Sequence, residues 1–124
     1  MEKKTVLLVD DSNVSLMTGE LVLRKIGQFE IRKAHDGEEA VEMATAEPPD
    51  LIVLDVVMPK MNGFDACRAL RSHPATRSIP ILMATTRGEA HNVEEGFAAG
   101  CNDYVTKPLN HTEVAEKLRG LLEE

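Results

Sequence analysis

The chain has 124 residues, which suits one domain with its own core, and its formal net charge of −7 disfavours binding to nucleic-acid backbones and anionic membranes. Hydrophobic residues make up 43% and charged residues 28%, which is typical of a globular protein and excludes a disordered chain. Because the sequence lacks a signal-peptide pattern and any apolar run of membrane-spanning length, we expect a cytoplasmic protein.

The first half of the chain predicts three short strands separated by two helices. These elements are Thr5–Val9, Asn13–Ile26, Phe29–Ala34, a helix opened by Asp36 and closed by Pro48-Pro49, and Leu51–Leu54. In the first helix, apolar residues recur with helical spacing and predict its core-facing side, which comprises Val14, Met17, Leu21 and Val22. Phe29–Ala34 alternates only loosely, which indicates an edge or half-buried strand.

The second half continues the same alternation of helix and strand. Its predicted elements are a helix opened by Asn62 and ended by His73-Pro74, Ile79–Ala84, Gly88–Ala99, a short strand at Tyr104-Val105, and a helix capped by Asn110. A strand followed by a helix therefore occurs five times. This pattern predicts an α/β domain in which helices cover both faces of a parallel sheet.

Polar residues follow four of the predicted strands, and parallel strands end at one edge of their sheet. These residues are Asp10 and Asp11, Asp55, Thr85, and Lys107. Each alone has a simpler explanation, such as a helix cap or a solvated loop residue, but their common position favours a site. Three neighbouring carboxylates repel one another and require a cation, for which Mg²⁺ fits oxygen ligands best. Such a site binds phosphoryl groups, and Asp55 could attack phosphorus.

Four motifs occur in an order and spacing that point to one family. They are Val-Asp-Asp-Ser at 9–12, Asp55 followed by Met58-Pro59 and Gly63, Thr85 after Ile-Leu-Met-Ala, and Tyr-Val-Thr-Lys-Pro at 104–108. Together they resemble the response-regulator receiver domains of two-component signalling, and the likeness covers residues 1–124. The resemblance implies a flavodoxin-like (βα)5 fold, whose doubly wound parallel five-stranded sheet has the order 2-1-3-4-5.

The resemblance also implies a metal site and a phospho-acceptor. Asp55 is then the phospho-acceptor and a metal ligand, Asp11 a direct ligand of Mg²⁺, and Asp10 an assisting ligand. The backbone carbonyl of Val57 is implied as a further ligand, and Mn²⁺ as a substitute for Mg²⁺. The Val57 side chain cannot orient an attacking water, so we expect slow loss of the phosphoryl group.

The remaining implied roles concern phosphoryl binding and the response to it. Lys107 binds phosphoryl oxygens, and the bond between Lys107 and Pro108 is expected to be cis. Thr85 is the switch hydroxyl and Tyr104 the aromatic residue that rotates with it. The surface formed by the fourth helix, fifth strand and fifth helix is implied as the output surface.

The implied partners are a histidine kinase or histidine phosphotransfer protein and a downstream protein target that the sequence does not identify. We expect a monomer or a phosphorylation-dependent dimer without direct nucleic-acid or membrane binding. As a signalling module, the chain would catalyse only its own phosphorylation and slow autodephosphorylation, and would not otherwise be an enzyme.

Three other functions are weaker interpretations of the same residues. A small Mg²⁺-dependent aspartyl-phosphate phosphatase or phosphotransferase would use a similar nucleophile, but it usually carries Asp-x-Asp and a cap, whereas Asp55 is followed by Val56-Val57. Flavodoxin-like electron transfer would require a Ser/Thr/Gly-rich phosphate loop and aromatic residues, which make up only 3% of this chain. A receiver-like scaffold that takes no phosphate would not need the intact set of acids, threonine and lysine.

Overall fold

The computed structural model describes residues 3–56, 58, 61–86 and 90–122, in which five strands alternate with five helices. The strands are β1 (Lys4–Val9), β2 (Phe29–Ala34), β3 (Leu51–Asp55), β4 (Ile81–Thr86) and β5 (Asp103–Lys107). The helices are α1 (Asn13–Ile26), α2 (Gly37–Ala46), α3 (Gly63–Ser72), α4 (Ala90–Ala99) and α5 (His111–Leu122). None of the helices in these ranges is both long and apolar enough to cross a membrane.

All strand pairs in the sheet are parallel, and the strand order is β2-β1-β3-β4-β5. The predicted fold class and strand order are therefore confirmed. β2 lies at an edge, as its loose alternation predicted, whereas every residue of the central strand β3 is buried. Because all five strands run in one direction, their last residues lie along a single edge of the sheet.

Alternate residues of each strand enter one of two hydrophobic cores on opposite faces of the sheet. In β1, Leu7 and Val9 pack into the core beneath α2, α3 and α4, while Val6 and Leu8 pack into the core beneath α1 and α5. This is the doubly wound arrangement, in which helices cover both faces. Burial of apolar side chains on both faces, at about 25 cal/mol per Å², fixes the strand ends in place.

Side-chain caps begin four of the helices, and the sequence predicts those at Asp36, Asn62 and Asn110. The Ser12 hydroxyl accepts a hydrogen bond from the Ser15 amide at 3.2 Å, and the Asp36 carboxylate accepts one from the Glu39 amide at 2.8 Å. Asn62 and Asn110 cap α3 and α5 in the same way. Each cap contributes about 1 kcal/mol and fixes where the preceding loop ends.

The predicted buried side of α1 is wrong. Val14, Met17 and Leu21 are 74%, 61% and 58% exposed, and only Val22 of the predicted set packs against the core. The buried residues of α1 are Leu16, Gly19 and Leu23. At 100° per residue these lie opposite the predicted side, so α1 carries two apolar stripes and only one faces the sheet. We refer to Val14, Met17 and Leu21 as the α1 stripe.

The strand boundaries also differ from those predicted. Asp55, Thr85 and Lys107, which were predicted to follow their strands, lie within them. The fourth strand begins at Ile81 because Pro80 has no amide hydrogen and the Ile79 amide bonds the Thr76 carbonyl at 3.1 Å in the preceding turn. Asp55 and Lys107 are the last residues of β3 and β5. The predicted start of the fourth helix at Gly88 lies outside the described residues.

Candidate functional site

Three carboxylates meet at the edge where the strands end. Asp10 and Asp11 follow β1, Asp55 ends β3, and each residue offers an oxygen within 4.8 Å of those of the other two. The Asp10 amide donates to the Ala34 carbonyl at 3.1 Å, and the Asp10 carboxylate accepts from the Ser12 amide at 3.0 Å. The turn into α1 therefore orients Asp10 toward Asp55. Asp10 and Asp55 are only 8% and 7% exposed, whereas Asp11 is exposed.

Lys107 supplies a positive charge to this cluster from the end of β5. Its Nζ lies 2.8 Å from Oδ2 of Asp10 and 3.4 Å from Oδ1 of Asp55. The peptide bond between Lys107 and Pro108 is cis. With all groups ionised, three carboxylates and one ammonium leave a charge of −2 at the edge. That charge and an all-oxygen donor set fit one hard divalent cation such as Mg²⁺.

Burial and neighbouring charges shift the pKa values of both Asp55 and Lys107. Burial, together with the negative charge of Asp10, raises the pKa of Asp55 to about 6, although Lys107 opposes this shift. Burial alone would lower the pKa of Lys107, but its hydrogen bond to Asp10 and the charge of Asp55 outweigh burial and raise that pKa. Lys107 therefore stays charged at neutral pH. When no metal ion is bound, ionised Asp55 lowers the stability of the folded protein.

A glycine contact fixes the chain directly after Asp55. The Gly63 amide donates to the Val56 carbonyl at 2.8 Å, so the segment after β3 returns to the strand end. A Cβ on Gly63 would collide with the backbone oxygen of Asp55. Gly63 is needed here for close approach of the backbone. The sequence motif includes Gly63, but this steric requirement carries no signal beyond the glycine itself.

A cleft of about 120 Å³ adjoins the charged cluster on the face covered by α1 and α5. Asp10, Asp55 and Lys107 line its polar side. Its other lining residues are Leu8, Val9, Val14, Ser15, Leu16, Thr18, Gly19, Val53, Ala84, Pro108 and Leu109. Val14 is the first residue of the α1 stripe, so the stripe begins at the cleft and continues along the outside of α1.

Thr85 and Tyr104 belong to the opposite face of the sheet. Met83, which is paired with Tyr104, and Tyr104 itself both pack into the core beneath α2, α3 and α4, and alternation places Thr85 on that same face. The sequence thus placed Thr85 at the correct edge but could not assign its face. One predicted feature, the Val57 carbonyl, lies outside the part of the chain that the structure describes.

Tyr104 makes two contacts that the sequence did not reveal. Its ring meets that of Phe97 edge to face, with centroids 6.0 Å apart, and the Nζ of Lys117 lies 5.6 Å from the Tyr104 centroid. Lys117 also pairs with Asp103 at 3.1 Å. These contacts connect Tyr104 to both α4 and α5, so a change in its rotamer would alter the surface between the two helices.

Comparison with known proteins identifies a family model that matches most of the chain. The model is described as the response regulator receiver domain and matches residues 6–119. The chain is 39% identical over 122 residues to the transcriptional regulatory protein YvrH of Bacillus subtilis, which covers 98% of this chain and 50% of YvrH. The chain spans about half the length or less of the curated relatives that it matches first.

Solved structures agree with this match. A putative response regulator from Chloroflexus aurantiacus superposes with a TM-score of 0.93 at 38% identity, covering 98% of each chain. The receiver domain of the sensor histidine kinase PA1611 from Pseudomonas aeruginosa superposes with a TM-score of 0.89 at 30% identity, again over 98% of each chain. That structure has a magnesium ion coordinated in its active-site cleft.

The raised pKa of Asp55 predicts a specific dependence of stability on pH. The Asp55 carboxyl group binds its proton more tightly in the folded state than in the unfolded state. The free energy of unfolding therefore falls as pH rises from about 4 to about 6, and it stays at the lower value above that range. In EDTA, Asp55→Asn should therefore be more stable than the wild type by about 1–3 kcal/mol at neutral pH, with the difference vanishing near pH 4.

Urea unfolding of both proteins across this pH range measures the difference, since the titrating groups that do not interact with Asp55 cancel between them. Asp65→Asn, which changes an exposed aspartate paired with Arg68, is the matched control and should show no such pH-dependent difference. A difference between Asp55→Asn and wild type that does not vary with pH would contradict the prediction.

Proposed function

Because the chain belongs to the response regulator receiver domain family, we propose that Asp55 accepts a phosphoryl group from a phosphohistidine on a histidine kinase or histidine phosphotransfer protein. The observation that carries this proposal is the meeting of three carboxylates and Lys107 at the end of the sheet. We further propose that residues 1–124 act as one receiver domain in the cytoplasm. The chain would be a signalling module and not an enzyme for other substrates.

In the proposed transfer, an oxygen of Asp55 attacks phosphorus and the imidazole of the donor histidine leaves. Asp55 must be ionised to attack, which its pKa of about 6 allows at neutral pH. Lys107 lies 3.4 Å from Asp55 and can donate hydrogen bonds to the phosphoryl oxygens while it remains charged. Gly63 holds the backbone of Asp55 in place, so the attacking oxygen is positioned before the donor arrives.

Asp10, Asp11, Asp55 and the carbonyl of Val57 would hold Mg²⁺, which when bound supplies positive charge to the phosphoryl group during transfer. The three carboxylate oxygens within 4.8 Å of one another support this assignment. The magnesium ion in the PA1611 receiver domain also supports it. Mn²⁺ should replace Mg²⁺, since it takes similar oxygen ligands.

The proposed response to phosphorylation runs through Thr85 and Tyr104. A phosphoryl group on Asp55 adds charge and acceptor oxygens, to which the Thr85 hydroxyl can donate a hydrogen bond. Tyr104 shares a face of the sheet with Thr85 and contacts Phe97 on α4. Moving Tyr104 would change the surface formed by α4, β5 and α5, which we propose binds the downstream target.

The α1 stripe is our candidate docking surface for the phosphohistidine protein. Its three apolar side chains are 58–74% exposed, and Val14 also lines the cleft that contains Asp55. A contiguous exposed apolar stripe on a folded domain commonly marks a protein interface. A donor helix on this stripe would lie directly beside the phospho-acceptor. Binding there would also leave the α4–β5–α5 surface free for another partner.

Incubation with Mg²⁺ and acetyl phosphate tests the central proposal. We expect intact mass spectrometry to show a gain of one phosphoryl group in the wild type, and fragmentation to place it on Asp55. The gain should disappear in Asp55→Asn and persist in Asp65→Asn, which makes the same change at an exposed position on α3. A wild-type protein that gains no phosphoryl group, or gains it at another residue, would refute the proposal.

The α1 stripe predicts a difference between two phosphoryl donors. Met17→Ala combined with Leu21→Ala should slow transfer from a phosphohistidine protein on the order of tenfold, because apolar contact area is lost. Labelling by acetyl phosphate, which does not need the stripe, should stay within about twofold. Equal slowing with both donors would argue against docking on α1.

A further inference from the structure

A second and larger depression lies between the C-terminal end of α1 and the outer side of α5. Its volume is about 390 Å³. Its lining residues are Lys25, Ile26, Phe29, His111, Ala115, Leu118, Arg119 and Leu122. We call this depression the α1–α5 groove. None of these residues takes part in the phosphoryl chemistry described above.

The floor of the groove is apolar. Leu118 is buried, whereas Ile26, Phe29 and Leu122 are half-buried and pack against the core beneath α1 and α5 only in part. Apolar surface therefore remains open to water along this floor. Covering it with apolar side chains of a partner would be favourable, at about 25 cal/mol per Å² of apolar area buried.

The rim of the groove is basic, although the chain as a whole carries a charge of −7. Lys25, His111 and Arg119 are exposed, and none of them forms an ion pair with any residue in the described ranges. The neighbouring cations Arg24 and Lys117 are by contrast paired with acids of this chain. Lys25 and Arg119 therefore offer an incoming acidic group positive charge that no acid in the described ranges pairs with, and the His111 ring beside them can donate a hydrogen bond.

The acids of α5 do not neutralise this rim. His111, Ala115, Leu118, Arg119 and Leu122 recur with helical spacing and form one side of α5. At 100° per residue, Glu113 and Glu116 lie more than a quarter turn away from the middle of that side. An acidic ligand over the middle of the groove would thus meet Arg119 with Glu113 on the far side of α5 and with Glu116, one turn before Arg119, directed away from the middle of the groove.

The shape of the groove favours a helix over a small molecule. From His111 to Leu122 the groove follows α5 for about 16 Å, at a rise of 1.5 Å per residue, which matches three helical turns. Sites for small ligands usually bury most of the ligand, whereas this depression is open along its length. A helix that inserts apolar residues at i, i+4 and i+7 would cover the floor and present flanking residues to the rim.

We propose that the α1–α5 groove binds an acidic amphipathic helix of a partner protein, and that this binding does not require phosphorylation of Asp55. The apolar floor includes Phe29, the first residue of β2, which lies at the edge of the sheet opposite Asp55, and no residue that lines the groove also lines the cleft at Asp55. A helix bound there leaves both the cleft at Asp55 and the α4–β5–α5 surface accessible.

A synthetic peptide can test the proposal on the full chain. The probe is an N-acetylated helical peptide with leucine at i, i+4 and i+7 and glutamate at the flanking positions. A peptide with lysine in place of every glutamate is its charge control, and decanoate tests whether a small anionic amphiphile suffices. Binding is followed by shifts in the backbone amide resonances of the isotope-labelled protein.

We expect the acidic peptide to shift resonances along the groove and to bind Asp55→Asn as well as it binds the wild type. Arg119→Glu should weaken binding about tenfold, since it replaces an attraction with a repulsion. Arg77→Glu makes the same charge change at an exposed position after α3 and should leave the affinity unchanged.

Four results would overturn the proposal. These are no groove shifts with the acidic peptide, equal binding of the lysine peptide, equal weakening by Arg77→Glu, and displacement of the peptide by decanoate at comparable concentration. None of these results would bear on the proposed phosphorylation of Asp55, because no groove residue lines the cleft at Asp55. Failure of phosphorylation would likewise leave the groove proposal intact, since peptide binding is also measured with Asp55→Asn.

Discussion

Repulsion among the carboxylates of Asp10, Asp11 and Asp55 is the constraint on which the site depends. Their oxygens lie within 4.8 Å of one another, and Lys107 offsets only part of their charge. An unconstrained chain would separate these groups. Here the buried strands β1 and β3 and the close contact of Gly63 hold them together, so hydrophobic packing maintains an arrangement that is electrostatically unfavourable without a bound cation.

The two faces of the sheet divide the proposed function. Asp10, Asp55 and Lys107 line a cleft on the face covered by α1 and α5, where the donor would approach. Thr85 and Tyr104 belong to the face covered by α2, α3 and α4, where the response would appear. At the ends of the strands, neighbouring residues point to opposite faces of the sheet, so groups from both faces lie close together at this edge. A phosphoryl group at this edge can therefore contact groups on both faces.

The sequence predicted the alternation of strands and helices because its local signals agreed with one another, whereas the strand order came from the resemblance to receiver domains. Caps such as Asp36 and Asn62 marked helix starts, and short apolar runs ending at Asp55 and near Lys107 marked the strand ends that form the site. It failed on α1, where Val14 and Leu16 begin two apolar stripes on opposite sides. Periodicity reports spacing, but packing against the sheet decides which side is buried. The contact of Phe97 with Tyr104 also depends on how α4 packs, which no local pattern encodes.

The most direct test of this account is the dependence of unfolding free energy on Mg²⁺ at constant ionic strength and neutral pH. If one bound Mg²⁺ relieves the repulsion, the free energy of unfolding should rise linearly with the logarithm of the Mg²⁺ concentration once that concentration exceeds the dissociation constant. The slope should be the one expected for a single bound ion. Asp11→Asn should abolish most of that gain, while Asp65→Asn should retain it. A wild-type stability that is insensitive to Mg²⁺, or an equal gain in Asp11→Asn, would contradict the account.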